Sequence, residues 1–189
     1  MKKITLAAAA AALFAMPAAA NARAYVEVDG GLDSASIGGE ASQGFAYGVA
    51  AGYDIELGNS MFAGIEATAS DSTTKKCYGS MATIGYRYCV NSGRDLAAVV
   101  RLGTSVGEKT KLYVLGGYTN GRVRESEEMD TGNGIVGYKD GTNLDGFRLG
   151  AGLEQELGHN LFGKVEYRYS NYQYGVSRHQ VVAGVGIKF

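Results

Sequence analysis

Proline is nearly missing from the 189 residues: there is one, Pro17, and there is no tryptophan. From residue 23 onward nothing of that kind interrupts a hydrogen-bond ladder, so the chain is free to be almost entirely sheet. No apolar run reaches 18 residues and the mean hydropathy is close to zero (−0.09), which excludes a bundle of spanning helices. The two cysteines and two histidines are scattered and lack metal-ligand spacing. Charge of one sign is lacking too: 18 Lys and Arg stand against 19 Asp and Glu, with no basic patch suited to nucleic acid. What is abundant is glycine, 29 residues or about twice its usual share. Without a G-X-Y period collagen is excluded, and 46% hydrophobic residues with 13 Tyr are too apolar for a disordered linker.

The amino terminus reads Lys2-Lys3, an apolar stretch from residue 6 to 20, then Ala20-Asn21-Ala22 with small residues at the −3 and −1 positions of a cleavage site. That is the pattern of a secretory signal peptide over residues 1–22, and the stretch is too short for a spanning anchor. Without Lys2 and Lys3 the chain carries 16 basic and 19 acidic side chains, a net charge of −3. Cys77 and Cys89 lie in exported chain, an oxidising setting, so a disulfide is expected, stabilising by about 3 kcal/mol in the chain-entropy model.

From residue 23 the pattern has period two. Ala24, Val26, Val28 and Leu32 alternate with Tyr25, Glu27 and Asp29, and at 44–55 Phe45, Tyr47, Val49, Ala51 and Tyr53 alternate with small or polar residues. Further strands are expected at 61–70, 95–106, 111–121, 144–155, 161–169 and 176–189, eight in all, each long enough to cross a bilayer at a tilt. Connections alternate between short (56–60, 107–110, 156–160) and long (33–43, 71–94, 122–143, and more modestly 170–175). That layout fits an all-β fold: an eight-stranded antiparallel up-and-down transmembrane β-barrel over residues 23–189, with periplasmic turns and extracellular loops. The alternating segment 81–89 is read as part of the second loop, a hairpin arm above the membrane. A shift of 100 residues aligns Ala51-Gly52, Glu56-Leu57-Gly58, Phe62, Glu66 and Ser70 with Ala151-Gly152, Glu156-Leu157-Gly158, Phe162, Glu166 and Ser170, so one strand-turn-strand unit occurs twice.

The two faces of these strands expect different solvents. Residues such as Val26, Val49, Ile65, Val100, Leu102, Leu149, Val165, Val181 and Val185 face outward without a charge among them, as lipid demands. Aromatic girdles are expected from Phe45, Tyr47, Tyr118, Phe147, Tyr167 and Tyr169 towards the loops, and from Tyr53 and Phe189 towards the turns. Glu27, Asp54, Glu66, Glu154 and Glu166 face inward with Arg101, Arg148, Lys164, Arg168, Arg178 and Lys188. A lumen of eight strands has room for side chains and no wide channel, so these charges must pair. Gly31, Gly44, Gly48, Gly52, Gly64, Gly103, Gly117, Gly146, Gly150, Gly152, Gly184 and Gly186 fall on the same side, where small residues make room for the bulky ones.

The chain ends Val181-Val182-Ala183-Gly184-Val185-Gly186-Ile187-Lys188-Phe189, a terminal aromatic preceded by apolar residues at every second position. With the segments 162–170 and Gly116-Gly117-Tyr118-Thr119-Asn120, it resembles the small porin-like outer-membrane barrel family, whose relatives include OmpA-type, OmpX-type and opacity-type domains. The resemblance implies that Phe189, Ile187 and Val185 form the signal read by the barrel-assembly machinery, and it brings no shared catalytic site. Nothing follows Phe189, so no peptidoglycan-tethering domain is expected. The bacterial outer membrane, its lipid and the assembly machinery are the implied surroundings, and a monomer the implied state.

Catalytic, cofactor-binding and metal residues are not expected, and no cofactor is. His159 falls in a turn; His179 shares the outward face with Ser177, a nucleophile and base without a third orienting group, so a lipid-modifying enzyme ranks last. The preferred function is a structural or surface-interaction protein acting on an extracellular ligand or host surface through its loops, above all the charged third loop, 122–143. The alternative is a small-solute porin-like channel.

Overall fold

A computed structural model describes residues 22–37, 39–132 and 134–189. The expected signal peptide lies outside the described residues apart from its last position. Nine strands follow one another: β1 (Ala22–Ile37), β2 (Glu40–Gly58), β3 (Met61–Ser72), β4 (Lys75–Ser80), β5 (Tyr86–Val106), β6 (Thr110–Asp130), β7 (Ile135–Gly158), β8 (Leu161–Tyr172) and β9 (Val176–Lys188). A one-turn helix, α1 (Met81–Ile84), joins β4 to β5, and a 3₁₀ turn over Gln173–Gly175 joins β8 to β9.

Eight of the strands close into a ring. Neighbours pair antiparallel in sequence order except that β3 pairs β5, and β1 meets β9 from Tyr25↔Lys188 to Ile37↔Val176. Closure removes the open sheet edges that lipid would leave unsatisfied. The fourth strand stands outside the ring, pairing only β5 above the wall. A bulge between Ser92 and Asp95 marks the place where β5 exchanges β3 for β4 as its neighbour. So segment 81–89 does belong to a hairpin arm, and Cys77–Cys89, directly paired with Cα atoms 4.0 Å apart, is a disulfide across it.

At one end the connections are tight. Asn59-Ser60 and His159-Asn160 all have positive φ, each pair preceded by a left-handed glycine, Gly58 or Gly158, so the two turns of the 100-residue repeat share one backbone shape. The other end departs from expectation, because most of the chain assigned to long loops is strand. The first loop is almost wholly the upper ends of β1 and β2, which pair down to Ile37↔Glu40, and the third loop is a hairpin in which β6 and β7 pair to Asp130↔Ile135. With no proline to stop them, the β1–β2 and β6–β7 ladders run on until a turn with left-handed glycine ends them, Gly39 in the first and Gly132 in the second.

The alternation sorts the faces as the period-two pattern requires. Val28, Val49, Val100, Val114, Leu149 and Val165 are exposed, whereas their strand neighbours are covered. In the aromatic band at the loop end Phe45, Tyr47, Tyr118, Phe147 and Tyr167 are exposed and Tyr169 is half-buried, with Phe147 edge-on to it at 6.3 Å. At the turn end Phe189 is exposed, but Tyr53, although on the outward register, is covered, and Leu57, Leu157 and Met61 supply that rim instead. The predicted lower girdle is therefore aliphatic for the most part.

Candidate functional site

The lumen is filled. All eleven expected interior charges are buried, none more than 4% exposed. Two matching triples organise them, and their glycines and glutamates are 100 residues apart. On β1, β2 and β3, Tyr25 lies opposite Gly52, and Gly52 opposite Glu66; Tyr25 Oη donates to Glu66 Oε2 at 2.6 Å. On β6, β7 and β8, Tyr113 lies opposite Gly152, and Gly152 opposite Glu166; Tyr113 Oη donates to Glu166 Oε2, again at 2.6 Å. The glycine in each triple is dictated by the tyrosine: a Cβ on Gly52 would stand 2.2 Å from Tyr25 Cζ, and one on Gly152 2.5 Å from Tyr113 Cζ. The cations break the symmetry, since Gly64 faces Arg101 in one half and Lys164 faces Gly184 in the other. Each half gives space where its mate places a cation, so two large basic groups share one narrow lumen.

Near the turn end, the Arg101 guanidinium lies 3.1 Å from Glu154, 3.6 Å from Glu66 and 3.7 Å from Asp54, between the rings of Tyr25 and Tyr113 at 5.0 and 4.1 Å. Lys188 reaches Glu154 at 2.6 Å. Lys164 bonds Glu27 and approaches Glu166 at 3.4 Å and Glu66 at 3.7 Å; Arg168 joins Glu166 to Asp29. Towards the loops a second cluster forms. Arg148 meets Asp95 at 2.7 Å, Arg178 meets Asp95 at 3.2 Å and Asp33 at 2.6 Å, while Thr119 and Tyr172 donate to Asp95. Buried charges hold such positions only when paired and hydrogen-bonded.

Four members of these clusters were not among the expected interior residues: Asp29, Asp33, Asp95 and Lys111, whose Nζ lies 3.9 Å from Asp54. Asp33 and Asp95 sit at strand ends assigned to or bordering loops, and Lys111 opens its strand. The signal was present for two of them: Glu27, Asp29, Gly31 and Asp33 continue one period-two series.

Above the membrane the extensions of β4, β5, β6 and β7 form one sheet, tied across the mouth to β2. Glu40 Oε2 accepts from Lys76 Nζ and Tyr78 Oη, both at 2.7 Å, and Ser42 Oγ donates to the Lys75 carbonyl at 3.0 Å. Those two bonds hold the Glu40 carboxyl below the ordinary glutamate value, and the same carboxylate raises Lys76. Between the two walls is a cleft of about 90 Å³ lined by Ile37, Glu40, Lys76, Tyr78, Val90 and Val123 among others. At the apex Ile84, Met129, Ile135, Val136 and Tyr138 are exposed.

The remaining expected residues lie apart from these. His159 is in its turn, with φ of 52°. His179 faces outward, and its Nδ1 is engaged by Tyr167 Oη at 2.7 Å rather than by Ser177, its ring 4.9 Å from that of Tyr169. Val185, Ile187 and Phe189 are exposed at the closing end of β9, where the Phe189 amide donates to the Ala24 carbonyl at 2.8 Å.

A closed ring with a charged, packed interior and an uncharged exterior defines an integral outer-membrane barrel. Residues 5–189 match the family model of the outer membrane protein beta-barrel domain, and the chain belongs to that family. It is 29% identical over 131 residues to the 31 kDa outer-membrane immunogenic protein of Brucella melitensis, covering 68% of this chain and 54% of that protein. A shorter match, 43% over 44 residues, is to the 25 kDa outer-membrane immunogenic protein of Brucella ovis, covering 23% of this chain and 22% of that one. The chain thus spans about half the length of the first of these relatives. Among solved structures, Ail, the attachment invasion locus protein of Yersinia pestis, superposes with a TM-score of 0.58 at 16% identity over 89% of this chain and 99% of Ail. Neisserial surface protein A gives 0.55 at 18% identity over 88% and 97%. Ail is also known in complex with the heparin analogue sucrose octasulfate. The protein resides in the bacterial outer membrane, and the eight-stranded ring is the shared architecture.

Proposed function

We propose that this barrel is a non-enzymatic, monomeric surface-interaction protein: the wall anchors it, the ion pairs seal its lumen, and the extracellular sheet meets a ligand or host surface. The observation that carries this reading is the extension itself. The hairpin of β6 and β7 continues through residues 122–143 as paired strand, is bound to the disulfide-closed arm of β4 and β5, and presents apolar side chains at an apex bordered by charge. A rigid sheet presenting exposed Ile135, Val136 and Tyr138 costs little to order on binding, and exposed apolar groups of this kind mark contact surfaces. Ail, solved with a heparin analogue, is a barrel of the same architecture that accepts an external ligand.

Passage of small solutes is the competing reading, and the interlocked carboxylates and guanidinium groups oppose it. Export by cleavage after Ala22 and delivery through the terminal Val185, Ile187 and Phe189 complete the proposal. The test is to replace residues 122–143 by a two-residue turn and to measure binding of the purified, folded barrel to host cells and matrix proteins. Binding should fall about tenfold while the barrel still assembles, a loss of about 1.4 kcal/mol. Undiminished binding with the hairpin gone would remove the extension from the account.

A further inference from the structure

The chain has nine arginines, and in seven of them a guanidinium nitrogen lies within 4.0 Å of a carboxylate oxygen. The two exceptions among the described residues, Arg94 and Arg122, are neighbours. Arg122 lies opposite Asn143 on β7, and Arg94, at the bulge of β5, reaches the same Asn143 side chain at 3.5 Å. One row higher is Arg124, whose one carboxylate approach is to Asp71 at 3.9 Å. Gly141 leaves the sheet bare beneath Arg122; a Cβ there would stand 2.8 Å from Arg122 Nε. The guanidinium therefore lies flat against β7 with its outer face free.

Position decides what these groups can meet. Arg122 and Arg124 continue the outward register of Tyr118, the lipid-facing series, rather than the lumen series of Thr119. They point sideways from the barrel. Tyr118 and Phe147 form the uppermost aromatic pair on this wall, and Arg122 is four residues beyond Tyr118, about 13 Å along a tilted strand and so about 10 Å above the girdle. That is the level of the headgroups, and a long guanidinium stem spans the remaining distance. The acid between the two rows, Asp145, is occupied by Tyr118 Oη and by Asn120 Nδ2 at 2.7 Å. A ligand beside the wall at this height is a lipid, and the headgroup oxyanion that matches an unpaired guanidinium fork is a phosphate.

We propose that Arg94 and Arg122, backed by Arg124, form a lateral docking site for a phosphate of an outer-leaflet glycolipid. The site fixes the barrel's height and rotation against its surrounding lipid, independently of any ligand at the apex.

The test uses the folded chain in neutral phosphatidylcholine nanodiscs, titrated with bisphosphorylated lipid A or with the same lipid after enzymatic dephosphorylation. The phosphorylated lipid should bind about 25-fold more tightly, with the double substitution Arg94→Gln and Arg122→Gln abolishing the difference and Arg122→Gln alone removing about fivefold. Arg87→Gln, whose arginine pairs with Glu128 higher on the arm, should leave it unchanged. Equal binding of both lipids, or a double variant that still discriminates, would overturn the site. So would sucrose octasulfate binding at these arginines without any preference for lipid phosphate, since the pair would then serve a soluble glycan.

Discussion

Arg101 is wholly buried between two tyrosine rings and, among the described residues, is the one cation within 4.0 Å of Glu154, Glu66 and Asp54 at once, each of which has a lysine as its second partner. Removing one partner of a buried cluster costs more than the cluster's own net contribution, because the stranded charges remain in low dielectric. Arg101→Ala should therefore lower stability by about 3–5 kcal/mol in urea unfolding from lipid vesicles, while Arg101→Lys, which keeps the charge without the fork, should fall between. A loss below about 1 kcal/mol for Arg101→Ala would show that the network is dispensable. Arg101 itself was legible in the sequence, because Arg101 and Gly103 alternate with Val100 and Leu102 in a strand whose outward side is uncharged. Tyr25 and Tyr113 were not legible as its partners. Period two places a residue on a face, but only the register across strands shows that both tyrosines close over one guanidinium.

The elements differ from expectation where the membrane ends. Inside lipid, every ladder must be satisfied and the uncharged face is compulsory, so the spanning segments announce themselves in the pattern. Beyond it both faces meet water, the alternation loses its contrast, and residues 122–143 read as a charged loop although they are paired strand throughout most of their length. The tie between β4 and β2 depends on charge. Glu40 accepts from Lys76 and Tyr78, which pulls its carboxyl below the ordinary value of 4.5. A carboxyl depressed in the folded state contributes above its unfolded pKa and ceases to do so as pH falls through the folded one. The tie should thus hold at neutral pH and open in acid below 4.5; an NMR titration of Glu40 should give a midpoint under 4.5 that rises towards it in Lys76→Ala. A wild-type midpoint at or above 4.5 would mean that the tie does not form in solution.

For the whole molecule, the 100-residue repeat is more than a similarity of turns. Gly52 and Glu66 recur at that shift as Gly152 and Glu166, and strand register sets a tyrosine beside each pair, Tyr25 or Tyr113, with the cation moved from Arg101 to Lys164 so that the two halves interlock. The lower cluster is continuous from Lys188 through Arg101 and Lys164 to Arg168, and the upper one joins Arg148, Asp95, Arg178 and Asp33. Glycine makes this possible, since the small lumen residues leave space that guanidinium groups and tyrosine rings occupy. On the proposed reading, a lumen so occupied anchors and presents and does not conduct. The most direct measurement is single-channel recording of the purified, folded barrel in planar bilayers at neutral pH. The account predicts a silent membrane from the intact protein. Reproducible, stable openings from the intact chain would contradict it and return the barrel to the porins.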